Sequence, residues 1–289
     1  MNGAHSVLIE ATRKLMALVD HPDSDWVRGW GDQLPARCPP VLWFGNAGSK
    51  KRKVLTLGAN PSRKEFLLHS AAEATERVRS SGDQTRLCYL EPPYNRLWLL
   101  PRGQKLTEIL ESKDTRNRII ESYNAYFANR PYEAWFGHNH EDSYKVEGFL
   151  RGIGASYYDD NPAYLQAIHI DLFPFVTIED FTSIREMVVA TLFDDGWAKQ
   201  FLMQLISVLS PEVIVIFGRT NCRYFAKYMD PSVHSAEWEW FSPGKYFVTR
   251  SSEFSLPVVC LSTNLGNPRG FDAKGLRQFG RRLQPMVFK

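Results

Sequence analysis

Apolar positions along the chain fall into two kinds of pattern. Val7, Leu8, Ala11, Leu15 and Leu18 recur at helical spacing, which predicts an opening amphipathic helix over residues 5–20. Val54–Gly58, Leu165–Ile170, Val213–Phe217 and Pro257–Leu261 are short, nearly continuous apolar runs, each ended by Gly, Pro or a polar cluster. Such runs predict strands buried on both faces of a sheet. Phe247–Arg250 predicts a further short strand. Longer stretches at 63–82, 106–128, 183–209, 219–228 and 272–283 predict helices. The helix at 183–209 is broken near Gly196 and ended by Ser210-Pro211, and Asp272 is placed to cap the last one. Strands alternating with helices predict an α/β fold with a mostly parallel sheet. Residues 21–49 carry Pro, Gly and Trp without period and predict an irregular packed wrap, so residues 1–50 read as an N-terminal piece and 51–289 as one domain.

Composition narrows the class. At 289 residues and 44% hydrophobic, the chain can bury a large core. A net charge of +3 permits a local phosphate-binding face without requiring one. Lys50-Lys51-Arg52-Lys53 is a candidate for such a face, or a solvated charge run. No apolar run is long enough to span a membrane, and His5, Glu10, Arg13 and Lys14 break any leader pattern, so a soluble cytoplasmic protein is expected. Cys38, Cys88, Cys222 and Cys260 form no C-x-x-C pair, so neither zinc nor an iron–sulfur cluster is expected. The His138-Asn139-His140-Glu141 patch reads as a surface loop rather than a metal site. No G-x-S-x-G elbow, P-loop or G-x-G-x-x-G after a strand is present, which argues against an unrelated hydrolase or nucleotide enzyme.

The chain organises around Val54–Ser62. A buried strand runs into Gly58, where a turn is expected, and Pro61 stiffens the exit. Loops leaving the carboxyl ends of central strands are where α/β proteins bind ligands, so Asn60 is presented at a candidate site.

Gly58-Ala59-Asn60-Pro61-Ser62 resembles the first motif of the uracil-DNA glycosylase superfamily, which reads Gly-Ile-Asn-Pro-Gly in mismatch-specific and thymine glycosylases and Gly-Met-Asn-Pro-Gly in single-strand-selective ones. Leu87-Cys88-Tyr89 is similar to the Leu-Cys-Phe of uracil-specific members, whose Phe stacks on the extruded base. Asn95-Arg96-Leu97-Trp98 resembles the Asn-Arg-Phe-Trp of mismatch-specific members. His169 to Pro174 resembles the His-Asn-Leu-Cys-Pro of single-strand-selective members, except that Asp171 stands near the base-reading Asn. The loop Ser262–Phe271 takes the place of the second motif by position and polar–small character, but lacks its His.

The resemblance implies a three-layer α/β/α fold with a central, mostly parallel four-stranded sheet. It implies catalytic roles for Asn60 and Asp171, a base pocket at Gly58, Tyr89, Asn95, Ser262 and Thr263, and DNA contacts at Ser62, Asn264, Leu265, Arg269 and Lys274. Leu265 or Arg269 would be the wedge that fills the gap left by a flipped nucleotide. No metal, cofactor, membrane or obligate protein partner is implied; the partner is DNA. An Asn amide can hold a water by its carbonyl oxygen without a shifted pKa. No motif places a lysine as a Schiff-base nucleophile, so a monofunctional glycosylase is expected. Asp171 changes the base. An ionised carboxylate only accepts hydrogen bonds and repels uracil O4, whereas cytosine offers an exocyclic amino donor. The expected substrate is therefore a modified cytosine, such as the glucosylated cytosine of phage DNA, with the segment after Ser62 building a roomier pocket. A uracil or mismatch glycosylase, and a non-catalytic DNA-binding member of the same fold, are the alternatives.

Overall fold

The structure, a computed structural model, describes residues 2–20, 34–35, 37–67, 89–90, 94–129, 131–158, 161–179, 181, 184, 196–235 and 237–288. Most of the expected helix at 63–82, the first part of that at 183–209, Leu87, Cys88 and most of the wrap before residue 34 lie outside the described residues.

The fold is α/β with a mixed sheet. The strands are β1 (Lys53–Gly58), β2 (Ala155–Ser156), β3 (Leu165–Asp171), β4 (Val213–Phe217), β5 (Glu239–Phe241), β6 (Gly244–Arg250) and β7 (Pro257–Leu261). The longer helices are α1 (Asn2–Asp20), α2 (Lys113–Asn124), α3 (Lys145–Ile153), α4 (Trp197–Leu209), α5 (Arg219–Tyr224) and α6 (Ala273–Val287). Among the described residues the sheet has seven strands in the order β2-β3-β1-β4-β7-β6-β5, rather than the four expected. Strands β3, β1, β4 and β7 are the four apolar runs, mutually parallel, with β2 also parallel at one edge. Strands β6 and β5 add an antiparallel hairpin at the other edge. The extra strands escaped the hydrophobic pattern for a physical reason. Strand β2 has two residues and β5 three, too few to show a period, and β5 is largely exposed.

The chain forms two compact units, neither continuous in sequence. One comprises Met1–Leu42, Ala59–Tyr123 and Phe173–Val208; the other comprises Trp43–Gly58, Asn124–Leu172 and Leu209–Lys289 and contains the whole sheet.

In the first unit, α1 buries Val7, Leu8, Ala11, Leu15 and Leu18, the stripe its spacing predicts. Gln204 on α4 donates to Glu10, and the Lys14 ammonium sits over the Trp197 ring. The helix expected over 106–128 is interrupted. Ser112 is extended and its hydroxyl accepts from the Thr115 N–H, so the chain stops at Glu111 and restarts as α2.

In the second unit, α3 and α6 cross at glycines. A Cβ on Gly280 would lie 2.3 Å from the Phe149 carbonyl oxygen, and one on Gly152 would lie 2.3 Å from that of Arg277. Asp272 caps α6 by accepting from the Gly275 N–H at 2.6 Å, as its position in the sequence predicts. Inside the same unit Glu147 is fully buried and accepts from Arg151, Ser156 and the Tyr157 N–H. Burial pushes its carboxyl pKa up despite those bonds.

Candidate functional site

The strand order reverses between β1 and β4, because the chain passes from β1 to β3 on one side and later to β4 on the other. Such a reversal leaves a crevice at the carboxyl ends of the strands, and ligands of open α/β sheets occupy it. Gly58 ends β1, Asp171 ends β3 and Phe217 ends β4.

Strand alternation puts Thr56 and Gly58 on one face of β1, and His169 and Asp171 on one face of β3. The register pairs Thr56 with His169 and Gly58 with Asp171. Three polar side chains, Thr56, His169 and Asp171, therefore form one patch beside Gly58 inside an otherwise apolar layer. All four residues are buried. The His169 Nε2 stands 3.4 Å from Asp171 Oδ1, and its Nδ1 stands 2.9 Å from the Thr56 hydroxyl. Thr56 in turn is 2.5 Å from the Tyr157 hydroxyl. Burial drives the Tyr157 pKa far upward; the Thr56 bond opposes this and the Glu147 and Asp171 charges add to it, so the phenol keeps its proton. Either hydroxyl of the Tyr157–Thr56 pair can donate to the other. Thr56 can donate to Nδ1 or to the Ile168 carbonyl oxygen at 3.4 Å.

The surroundings of this chain are aromatic. Phe44, Phe136 and Phe217 lie 5.6, 5.1 and 5.8 Å from the His169 ring. Phe127 stacks on Tyr157 at 4.4 Å. A dry wall of this kind strengthens each polar contact inside it.

Gly58 has a different role from the one its place in the sequence predicts. It is not among the glycines with positive φ, so the turn does not demand it. A Cβ there would lie 2.4 Å from Asp171 Oδ1 and 3.0 Å from His169 Nε2. Gly58 is small because the carboxylate and imidazole occupy the space a side chain would need.

In the first unit, Asn60 is half-buried, and its Nδ2 donates to the Thr177 hydroxyl at 2.9 Å and to the Phe175 carbonyl oxygen at 3.5 Å. The Thr177 hydroxyl spends its own proton on the Glu179 carbonyl oxygen at 2.7 Å, so it can only accept from Asn60. Two acceptors fix which end of the amide is NH2. Among the described residues no protein group donates to Oδ1, which is left as an acceptor. Nearby, Ser62 caps a turn at Arg63–Glu65 by accepting from the Lys64 N–H.

The remaining sequence-predicted residues are distributed as follows. In the first unit, Tyr89 is buried, with the Arg37 guanidinium 4.6 Å above its ring. Asn95 closes a local turn by donating to the Leu97 carbonyl oxygen. In the second unit, the loop after β7 is tied to its surroundings at both ends. The Gly218 N–H donates to the carbonyl oxygens of Leu261 and Thr263, and Ser262 exchanges bonds with the Lys245 backbone. Thr263 is half-buried, and Asn264 folds back to accept from the Gly266 N–H. Leu265 is fully buried and not at the surface where a wedge would stand, because it has been drawn into the core of its loop. Arg269 and Lys274 are exposed, so of the two wedge candidates Arg269 is the one presented to solvent.

Sequence reasoning missed the supporting residues Thr56, Tyr157 and Thr177 and gave His169 no role of its own. The available signal was a polar residue inside each buried run, Thr56 in β1 and His169 in β3. It also missed Trp135, half-buried, which tilts against Phe217 at 6.5 Å and carries the Gly266 backbone on its ring. Among the described residues no group of three His, Cys, Asp or Glu is placed to hold a metal ion, and no helix is long and apolar enough to cross a membrane. No protein-family model matches the chain, and no curated protein matches it.

Proposed function

We propose that this chain is a monofunctional DNA glycosylase that excises a modified cytosine from a flipped nucleotide. The observation that carries the reading is the Asn60 amide. Its NH2 end is held by Thr177 and Phe175, and its carbonyl oxygen is left to accept. An acceptor held that way can orient a water for attack at the anomeric carbon of a deoxyribose once the glycosidic bond loosens. Cleavage of that bond leaves oxocarbenium character at the sugar; the water oxygen joins C1′, its proton passes to solvent, and the base leaves with the bonding pair.

Asp171 is assigned to the base edge. Its carboxylate accepts from an exocyclic amino group and disfavours a carbonyl at the same place. His169 Nε2 stands 3.4 Å from its Oδ1. The finer fold reading belongs to the same proposal: β3, β1, β4 and β7 are taken as the four-stranded core of a uracil-DNA glycosylase-like, three-layer domain, with DNA as the partner and no cofactor. A glucosylated hydroxymethylcytosine of phage DNA is the substrate most consistent with an acceptor at the base edge.

The test is incubation with oligonucleotides carrying uracil, cytosine, hydroxymethylcytosine or glucosylated hydroxymethylcytosine, followed by alkaline cleavage of abasic sites. Release from a modified cytosine, abolished in Asn60→Ala, is the expected result. Release of uracil alone rejects the assigned base, and no release from any substrate with DNA binding intact in both proteins rejects the enzyme.

A further inference from the structure

The β5–β6 hairpin carries a feature that base excision does not use. Trp240 is 71% exposed, unusual for so large an apolar ring. Its register partner Lys245 places its ammonium 4.0 Å from the ring centroid. Strand alternation explains the exposure. Phe241, the next residue, faces inward and stacks on Phe279 at 4.7 Å, so Trp240 points to the opposite face.

The hairpin is held rigidly against the loop after β7. Lys245 N–H donates to the Ser262 hydroxyl, and Ser262 N–H donates to the Lys245 carbonyl oxygen. Pro243 lies against Gly270, and Gly244 against Thr263 and Phe271. Trp240 and Lys245 are thus cross-strand partners, with Ser262, the first residue after β7, bonded beside Lys245. Strands lie about 4.8 Å apart, so the indole stands about 10 Å from Ser262, on the order of one to two nucleotides of extended single strand. Lys245 is the cation beside the ring; Arg282 and Glu239 meet at the Tyr246 hydroxyl on the opposite, α6-facing side of the hairpin.

We propose that Trp240 and Lys245 form a stacking platform for a base of single-stranded DNA flanking the excised nucleotide. The indole takes the face of an unstacked base and the ammonium takes its phosphate. An exposed ring with an adjacent cation, preorganised by a locked hairpin, is what sequence-tolerant single-strand binding requires. This rests on DNA being the partner, but not on the chemistry at Asn60.

The experiment is fluorescence anisotropy of a dye-labelled oligothymidine and of a duplex of equal length, with the full chain and with Trp240→Ala, Trp240→Phe and Lys245→Gln. Both side chains are at the surface, and thermal melts establish that the variants remain folded. Trp240→Ala is expected to weaken single-strand binding about fivefold to a hundredfold, while Trp240→Phe retains most of it. Lys245→Gln is expected to lower the slope of log affinity against log salt by about one. Trp240→Ala binding within twofold of the parent overturns the platform and leaves the glycosylase proposal standing. Absence of base release together with Trp240-dependent binding does the reverse. No binding of any oligonucleotide by the parent overturns the platform.

Discussion

The His169 imidazole and the Asp171 carboxylate lie two residues apart on β3, buried, with Nε2 3.4 Å from Oδ1. Burying a polar group without a partner is costly, and here each lies beside the other. The Thr56 and Tyr157 hydroxyls continue the chain behind the imidazole. Replacing His169 by Phe keeps the ring in its aromatic surroundings but removes the donor. We expect release of the preferred base to drop about tenfold with DNA affinity unchanged. Asp171→Asn adds a donor and removes the charge. We expect the ratio of uracil to cytosine-type release to rise by about tenfold or more, the scale of one base-edge contact. Single-turnover release from the four oligonucleotides measures both; an unchanged ratio in Asp171→Asn removes Asp171 from base reading.

The close approach at Gly58 gives a second prediction. A methyl there would stand 2.4 Å from Asp171 Oδ1, a distance real Cβ atoms do not tolerate. Carboxylate, imidazole or strand must shift. Gly58→Ala is therefore expected to cost about 1–3 kcal/mol of stability and to lower base release more than DNA binding. Chemical denaturation and single-turnover kinetics on the same preparation measure the two effects. A fully stable, fully active Gly58→Ala variant contradicts the packing described.

The Asn60 amide yields a prediction through a residue that touches no substrate. Asn60→Ala removes the acceptor and should slow release about 10³-fold, within the usual range for a positioned catalytic group. Thr177→Val keeps the volume and removes the oxygen that anchors Nδ2, leaving the longer bond to Phe175. The amide then rotates more freely, and a loss of about tenfold in rate with little change in substrate affinity is expected. Rescue by Thr177→Ser, which restores the oxygen, separates positioning from general disruption.

Much of the sheet was legible because four of its strands are buried on both faces and read as nearly continuous apolar runs. The edge elements were not. Strand β5 gains its place from pairing with β6 and from Phe241 stacking on α6, contacts far apart in sequence. Ser112 breaks a helix that Leu106, Ile109 and Ile119 would otherwise extend, because one hydroxyl cap competes locally with helical propensity. Among the candidate residues, Asn60 and Asp171 were each marked by their place after strands. Their partners were hidden, since Thr177 is distant in sequence and Thr56 and His169 meet only through strand register. Tyr89 and Leu265 show the opposite limit: residue type and order do not report burial.

Acid stability is governed by a carboxylate away from the site. Asp230 is fully buried and accepts from the Ser232 hydroxyl at 2.6 Å, the Ser252 hydroxyl at 3.2 Å, the Ser251 hydroxyl, and the N–H groups of Ser232 and Glu253. Burial alone would raise its pKa, but the donors outweigh it and hold the carboxyl at about 2. Its folded pKa lies below the unfolded value of about 3.9. The stabilisation is therefore complete above about pH 4 and is lost as pH falls toward 2. Asp230→Asn, which keeps the shape but removes the charge and mismatches several donors, should cost about 2–4 kcal/mol at pH 7. The gap between parent and variant should narrow steadily below pH 4. Urea denaturation at pH 7, 4 and 2.5 measures it, and a gap that stays constant across that window would show that the serine hydroxyls are not holding an ionised carboxylate.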